Sequence, residues 1–287
     1  MKPIAWIASP AEADAAEAAA APGQWGSPVQ LGLPLADRGL LLADGLFETV
    51  LVEAGQPQLL PEHLERWKAS AALLGMERPP DRARLEPLLA EALRRSAIST
   101  GALRLNWSRG IGAGRGLDLP GPDEASPRPR FWLQLSAAEP CFEPVRLIVS
   151  ASEQRNAASL LSRCKSFAYG PMVQARREAR AAGADDALLL STAGGLCCGT
   201  STNLLVLRAG TGTWLTPPLS TGCLPGVMRG RALELGLAVE APLQPDQLGA
   251  ALLINSLGCR PVLSLAGRSL PVGPDPERFW RSLLGSG

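Results

Sequence analysis

Two segments with the helical period restrict what the first half of this chain can form. Residues 61–74 place Leu64, Trp67, Ala71 and Leu74 on one face, and residues 81–96 do the same with Leu85, Leu88, Leu89 and Leu93. Around them lie runs that read as strands: 29–35 and 45–53 before, 101–107 and 130–135 after. The second strand ends at the turn Ala54-Gly55-Gln56-Pro57, and a glycine-rich loop, Gly110 to Gly116, separates the last two. Sequential strands of this kind favour antiparallel pairing, so residues 1–138 are expected to form a smaller α+β domain.

Residues 136–144 hold small residues and two prolines and make the candidate interdomain linker. Beyond it the pattern becomes strand 145–150, helix 171–182 stopped by Gly183, strands 186–190 and 203–207, and helix 226–235 with Gly236 at its C-terminus. Short strands at 252–256 and 261–265 complete a larger domain over 139–287. The expected class is a two-domain chain of α+β and α/β character, without internal repeats.

The 287 residues carry a formal net charge of +1, so no global field draws the chain to nucleic acid or to a membrane surface. No apolar run approaches the ~18 residues that span a bilayer. Glu12, Asp14 and Glu17 follow the apolar start too closely for a secretory signal, and the alanine-rich segment 11–21 reads as a helix or a loosely ordered insertion. Six cysteines without a C-x-x-C pair, and the single histidine His63, supply no zinc site. Free thiols in a reducing cytoplasm are the expectation.

Lysine is scarce: only Lys2, Lys68 and Lys165 occur. Lys165 stands in Ser162-Arg163-Cys164-Lys165-Ser166-Phe167-Ala168-Tyr169, between an expected strand and helix. A cofactor aldehyde needs an amine in a partly desolvated pocket, which lysine can supply. Gly222-Cys223-Leu224-Pro225-Gly226-Val227-Met228-Arg229 is a turn leading into a helix, where backbone N–H groups and the helix dipole suit a phosphate. Each feature alone also reads as ordinary structure: a surface lysine, and a plain helix start.

Their order is more specific. Asp37-Arg38-Gly39, then Asp44-Gly45-Leu46-Phe47-Glu48, His63-Leu64-Glu65-Arg66, Lys165-Ser166, Asn203-Leu204, Leu224-Pro225-Gly226-Val227-Met228-Arg229 and Asn255-Ser256-Leu257 together resemble the fold-type IV pyridoxal-phosphate family, the class IV aminotransferases and aminodeoxychorismate lyases. The likeness runs from about residue 31 to residue 265. It implies pyridoxal 5′-phosphate held as a Schiff base on Lys165, which then moves the substrate proton. It implies Arg66 and the backbone of Val227 and Met228 at the phosphate, with Ser256 lining the same side. Tyr169 and Asn203 fall near the cofactor, and Thr49, Asn255, Arg109 and Arg115 are candidates for substrate contact. A homodimer is also implied.

One position departs from the pattern. The family places a glutamate five residues before the Asn203 position, facing the pyridine nitrogen; here Cys198 stands there. An ionised carboxylate keeps that nitrogen protonated, and a neutral thiol does so far less well. Among members, Met228 in place of threonine, the Asn255-Ser256-Leu257 stretch and the Ser108-Arg109-Gly110 loop lean toward 4-amino-4-deoxychorismate lyase, giving 4-aminobenzoate and pyruvate. A branched-chain or D-amino-acid aminotransferase stands as the alternative, and a cofactor-binding homologue with altered catalysis as a third.

Overall fold

Lys165–Ala168 do not belong to the half of the chain in which they occur. The computed structural model describes residues 2–9, 23–112, 116–119, 128–208 and 210–285. It separates into Met1–Glu139 with Lys165–Ala168, and Pro140–Cys164 with Tyr169–Gly287. A single cut at 138/139 therefore misassigns the lysine segment. The reason is backbone pairing: Phe47 N–H donates to the Lys165 carbonyl and Phe167 N–H to the Gly45 carbonyl, each at 2.9 Å.

The first unit contains β1 (Ile4–Ala8), β2 (Gly23–Gly26), α1 (Arg38–Leu42), β3 (Gly45–Glu53), β4 (Gln56–Pro57), α2 (Leu60–Leu73), α3 (Arg82–Ser96), β5 (Gly101–Ile111) and β6 (Arg128–Ala137). Its strands form one antiparallel sheet ordered β2-β1-β6-β5-β3-β4. The period-2 alternation of β3 sends Leu46, Glu48 and Val50 toward α2 and Phe47 and Thr49 to the opposite face. Trp6, Trp67, Leu103, Leu105, Phe131, Leu133 and Leu135 are fully buried core residues of this unit.

The strand expected at 29–35 is absent. Pro28 and Pro34 lack the N–H that a ladder needs, and the backbone turns instead, Gln30 N–H donating to Ser27 at 3.0 Å. The N-terminal run Ile4–Ala8 forms β1 and pairs with β6. Residues 11–21 and Arg115 lie outside the described residues.

The second unit runs β7 (Val145–Arg155), a 3-10 turn (Leu160–Arg163), α4 (Gly170–Ala181), β8 (Asp186–Ser191), β9 (Leu196–Gly199), β10 (Asn203–Leu207), β11 (Trp214–Thr216), α5 (Val227–Glu234), β12 (Ala238–Glu240), β13 (Ala251–Asn255), β14 (Gly258–Leu265), β15 (Arg268–Ser269) and α6 (Pro276–Leu284). Its sheet order is β12-β11-β10-β13-β14-β7-β8-β9, and β9 also pairs with β10. That last pairing closes six strands into a ring. Val145, Leu147, Leu188, Leu196, Leu204, Val206, Leu253 and Val262 form one core cluster, and Met172, Ala175 and Ala179 of α4 pack with Ala187, Leu189 and Cys197 in another. Among the described residues no helix is long and apolar enough to cross a membrane, and no group of His, Cys, Asp or Glu could hold a metal ion.

Candidate active site

In the first unit, Lys165 lies along the start of β3 with its carbonyl bound to Phe47. Its side chain is half-buried and its Nζ sits 4.4 Å from the centre of the Phe47 ring. The Arg104 guanidinium lies 3.6 Å from the same ring, and its Nε donates to Asn106 Oδ1 at 2.8 Å. Two cations on one aromatic ring are held by its quadrupole and partly shielded from water. Phe167 stacks against Phe47 at 6.3 Å and packs over Gly45, where a Cβ would meet the Phe167 ring at 2.2 Å. The glycine of the Asp44-Gly45 pair is thus a close-approach residue that lets the lysine segment lie down on β3. Thr49 stands opposite Arg104 in the β3–β5 register.

Behind this face is a buried ionic cluster. Glu48 Oε2 accepts from His63 Nδ1 at 2.7 Å and from Arg66 Nη2 at 2.5 Å, and Oε1 accepts from Arg66 Nε at 2.8 Å. Burial by itself would raise the Glu48 pKa, but the Arg66 charge and the His63 bond outweigh it and bring it to about 2. Burial pushes the His63 pKa down against the pull of Glu48, with the Arg66 and Lys165 charges adding to the fall. A carboxylate bound to a neutral imidazole fixes the proton on Nδ1. Arg66, expected at a phosphate, has its guanidinium oriented by Glu48.

Arg109, expected at a substrate carboxylate, is engaged internally. Its Nε donates to Asp44 Oδ2 at 2.8 Å, and Nη1 and Nη2 donate to the carbonyls of Gly75 and Leu74, both at 2.9 Å. It fastens β5 to the end of α2. Asp44 Oδ2 also accepts from Arg38 Nε at 2.9 Å, and Arg38 reaches the carbonyls of Gly116, Leu117 and Asp118. Arg104 is the cation on the Lys165 face, and it escaped the sequence reading. The available signal was an arginine and an asparagine alternating with Leu103, Leu105 and Trp107 along a strand.

In the second unit, α5 begins at Val227, with Gly226 at its N-cap and no side-chain cap. The first N–H groups of this helix have no carbonyl one turn back, which is the geometry that receives a phosphate. Asn203 secures the approach: its Nδ2 donates to the Leu224 carbonyl at 2.9 Å, and a Cβ on Gly226 would collide with its Oδ1 at 1.9 Å. Beside Asn203, the buried Thr202 hydroxyl has no hydrogen-bond partner among the described residues. It lies over Gly199, where a Cβ would meet it at 2.3 Å. Asn255 braces this region, Nδ2 donating to the Ser201 carbonyl at 3.3 Å and Oδ1 accepting from Leu257 N–H at 2.8 Å. Its carboxamide is therefore engaged on one side by Ser201 and on the other by the turn that carries Ser256.

Cys198 pairs with Asn203 across β9 and β10 and is buried, sharing a cluster with Met172, Cys197 and Cys223, against which Tyr169 packs. The Cys197 thiol, hydrogen bonded by Cys198 and buried, is pushed up to about 12. The Cys223 thiol is pushed up as well, by its bond to Cys197 and by burial. These two thiols stay neutral at physiological pH. The acceptor that a protonated pyridine wants is a carboxylate, and position 198 does not provide one.

Residues 45–265 match the family model for amino-transferase class IV. A putative branched-chain-amino-acid aminotransferase of Methanocaldococcus jannaschii is 29% identical over 242 residues, 81% of this chain and 82% of that protein. A bifunctional aminodeoxychorismate lyase / D-amino acid transaminase of Mycobacterium tuberculosis is 27% identical, covering 88% of this chain and 94% of its own length. The crystal structure of a putative 4-amino-4-deoxychorismate lyase from Legionella pneumophila superposes with a TM-score of 0.78 at 29% identity, over 88% of this chain and 94% of that one.

Proposed function

Since this chain belongs to the class IV aminotransferases and has the fold-type IV architecture, we propose that it holds pyridoxal 5′-phosphate and acts as a lyase, splitting 4-amino-4-deoxychorismate into 4-aminobenzoate and pyruvate. The observation that carries this reading is that Lys165 Nζ and the Arg104 guanidinium share the Phe47 ring: an amine for the cofactor aldehyde, and a cation for a substrate carboxylate. Bound cofactor supplies an aldehyde for the substrate amine and a ring that accepts electrons when the neighbouring C–H proton leaves.

The chain's own residues divide the remaining work. Lys165 would hold the aldehyde, and its Nζ would take the proton from the carbon bearing the substrate nitrogen. In the second unit the first amides of α5 would hold the phosphate, and in the first unit Arg66, aimed by Glu48, is a further candidate for it. Arg104 orients a carboxylate.

Cys198 favours the lyase over the transaminase. Transamination relies on the cofactor ring as its main electron sink, which Cys198 would support less well than the carboxylate the family places there. Expulsion of pyruvate is driven by aromatisation of the substrate and asks less of the ring. The names of the relatives support both activities, one of them combining the two in a single protein.

Leu40, Leu41 and Leu42 of α1 are exposed, as are Leu117 and Leu119, whose segment Arg38 ties to α1. This apolar surface suits a homodimer contact, and sedimentation equilibrium tests it. For the reaction, purified protein with cofactor and aminodeoxychorismate is expected to yield equal amounts of pyruvate and 4-aminobenzoate. Absence of both products overturns the lyase reading. An amino acid and an oxoacid then test the transaminase, and bound cofactor without turnover in either assay identifies a non-catalytic homologue.

A further inference from the structure

The C-terminal helix α6 touches the region that carries the proposed phosphate grip. Trp280 is fully buried, and its indole N–H donates to the Asn255 carbonyl at 2.9 Å. Phe142 meets the indole edge-on at 5.6 Å. From Asn255 the connection continues: its Nδ2 donates to Ser201, and two residues on, Asn203 Nδ2 donates to Leu224, just ahead of α5. Arg231 of α5 in turn donates to the Leu283 carbonyl of α6 at 3.3 Å. The helix thus reaches both α5 and the Asn255–Ser256 turn.

We propose that Trp280 is a positioning residue for the cofactor phosphate, acting through the Asn255 carbonyl to hold the Asn255–Ser256 turn and the Ser201–Asn203 segment in register with the start of α5. The inference rests on the reading of α5 and Ser256 as the phosphate side of the site. Its physical basis is that an indole offers one donor in a fixed direction, and a buried carbonyl deprived of its donor shifts to find another. A displaced turn loosens contacts with the phosphate but leaves the amine on Lys165, in the other unit, as it was.

The test compares pyridoxal 5′-phosphate with pyridoxal, which has the same aldehyde and no phosphate. Affinities for both are read from a borohydride-reducible absorbance in wild type, Lys165→Ala, Trp280→Phe and Phe142→Leu. In Trp280→Phe, the phosphate form is expected to bind about three- to tenfold more weakly, the range for one lost hydrogen bond, while pyridoxal affinity stays within twofold. Phe142→Leu is expected to keep the wild-type ratio, because it leaves the N–H in place. Equal weakening of both ligands, or no weakening of either, overturns the inference. Wild-type binding no different from that of Lys165→Ala overturns the cofactor reading itself, and the inference with it. If Trp280→Phe does not fold, the benzothienylalanine isostere, which keeps the ring shape and lacks only the N–H, gives the same comparison.

Discussion

Lys165 and Phe47 are joined twice: the lysine carbonyl accepts the phenylalanine N–H at 2.9 Å, and the lysine amine lies 4.4 Å from the phenylalanine ring. The backbone bond sets where the lysine starts and the ring sets where its amine ends. Lys165→Ala is therefore expected to abolish covalent trapping of the cofactor by borohydride while leaving the apoprotein folded. Phe47→Ala should cost about 3–5 kcal/mol of stability, the usual loss for a buried phenylalanine. Mass spectrometry after reduction and urea unfolding of the two variants separate chemistry from packing.

The Glu48–His63–Arg66 cluster makes stability depend on acid. Glu48 has a folded pKa of about 2 against an ordinary 4.5, so its contribution is fully present above pH 4.5 and is lost as pH falls toward 2. By linkage this amounts to something on the order of 3 kcal/mol. His63, with its pKa lowered by burial, begins to destabilise the fold once pH drops below 6.5, because the unfolded chain takes up the proton first. Urea unfolding at pH 7, 5 and 3 should show stability falling throughout. Glu48→Gln leaves Arg66 and His63 without their anion, which should cost about 3–5 kcal/mol at pH 7 and flatten the profile below pH 4.5.

Arg104 and Arg109 provide a contrast between binding and scaffolding. Arg104→Met should lower kcat/KM for a carboxylate-bearing substrate by about 30-fold or more, with a smaller fall in Tm than Arg109→Met, from the bond lost to buried Asn106. Arg109→Met should lower Tm, since it abandons Asp44 and the carbonyls of Leu74 and Gly75, and should change KM little in the protein that remains folded. Steady-state kinetics beside calorimetry decides it, and the reverse pattern would return the carboxylate role to Arg109.

What the sequence makes legible is what local patterning controls. The bounds of β3 at 45–53 and of β10 at 203–207 follow from apolar runs flanked by turns, and α3 from Asp81, whose side chain caps it at Arg84 N–H. The return of Lys165–Ala168 to the first unit is not legible, because it depends on backbone pairing across more than a hundred residues. Arg109 misled for a related reason: an arginine before glycines reads as a loop residue until Asp44 is seen opposite it. The helix α6 has an Asp275 cap and buried Trp280 and Leu283, yet nine residues between prolines and glycines give too short a period to register.

Cys198→Glu tests the departure at the ring-nitrogen position. Cys198 is buried among Met172, Cys197 and Cys223, so a carboxylate there without a partner should destabilise the apoprotein by about 3 kcal/mol or more at pH 7. Desolvation would raise the folded pKa of the new acid above its unfolded value. The folded state then binds more protons, and the apo variant should be most stable below pH 4.5 and lose stability as pH rises. Cofactor changes this balance if its ring nitrogen meets position 198, because a protonated pyridine supplies the missing partner. The cofactor-induced rise in Tm at pH 7 should therefore be larger in Cys198→Glu than in wild type, with amino-acid half-transamination faster in the variant. Equal Tm rises in the two proteins would show that residue 198 does not face the ring nitrogen, and the thiol would then have no bearing on the choice between lyase and transaminase.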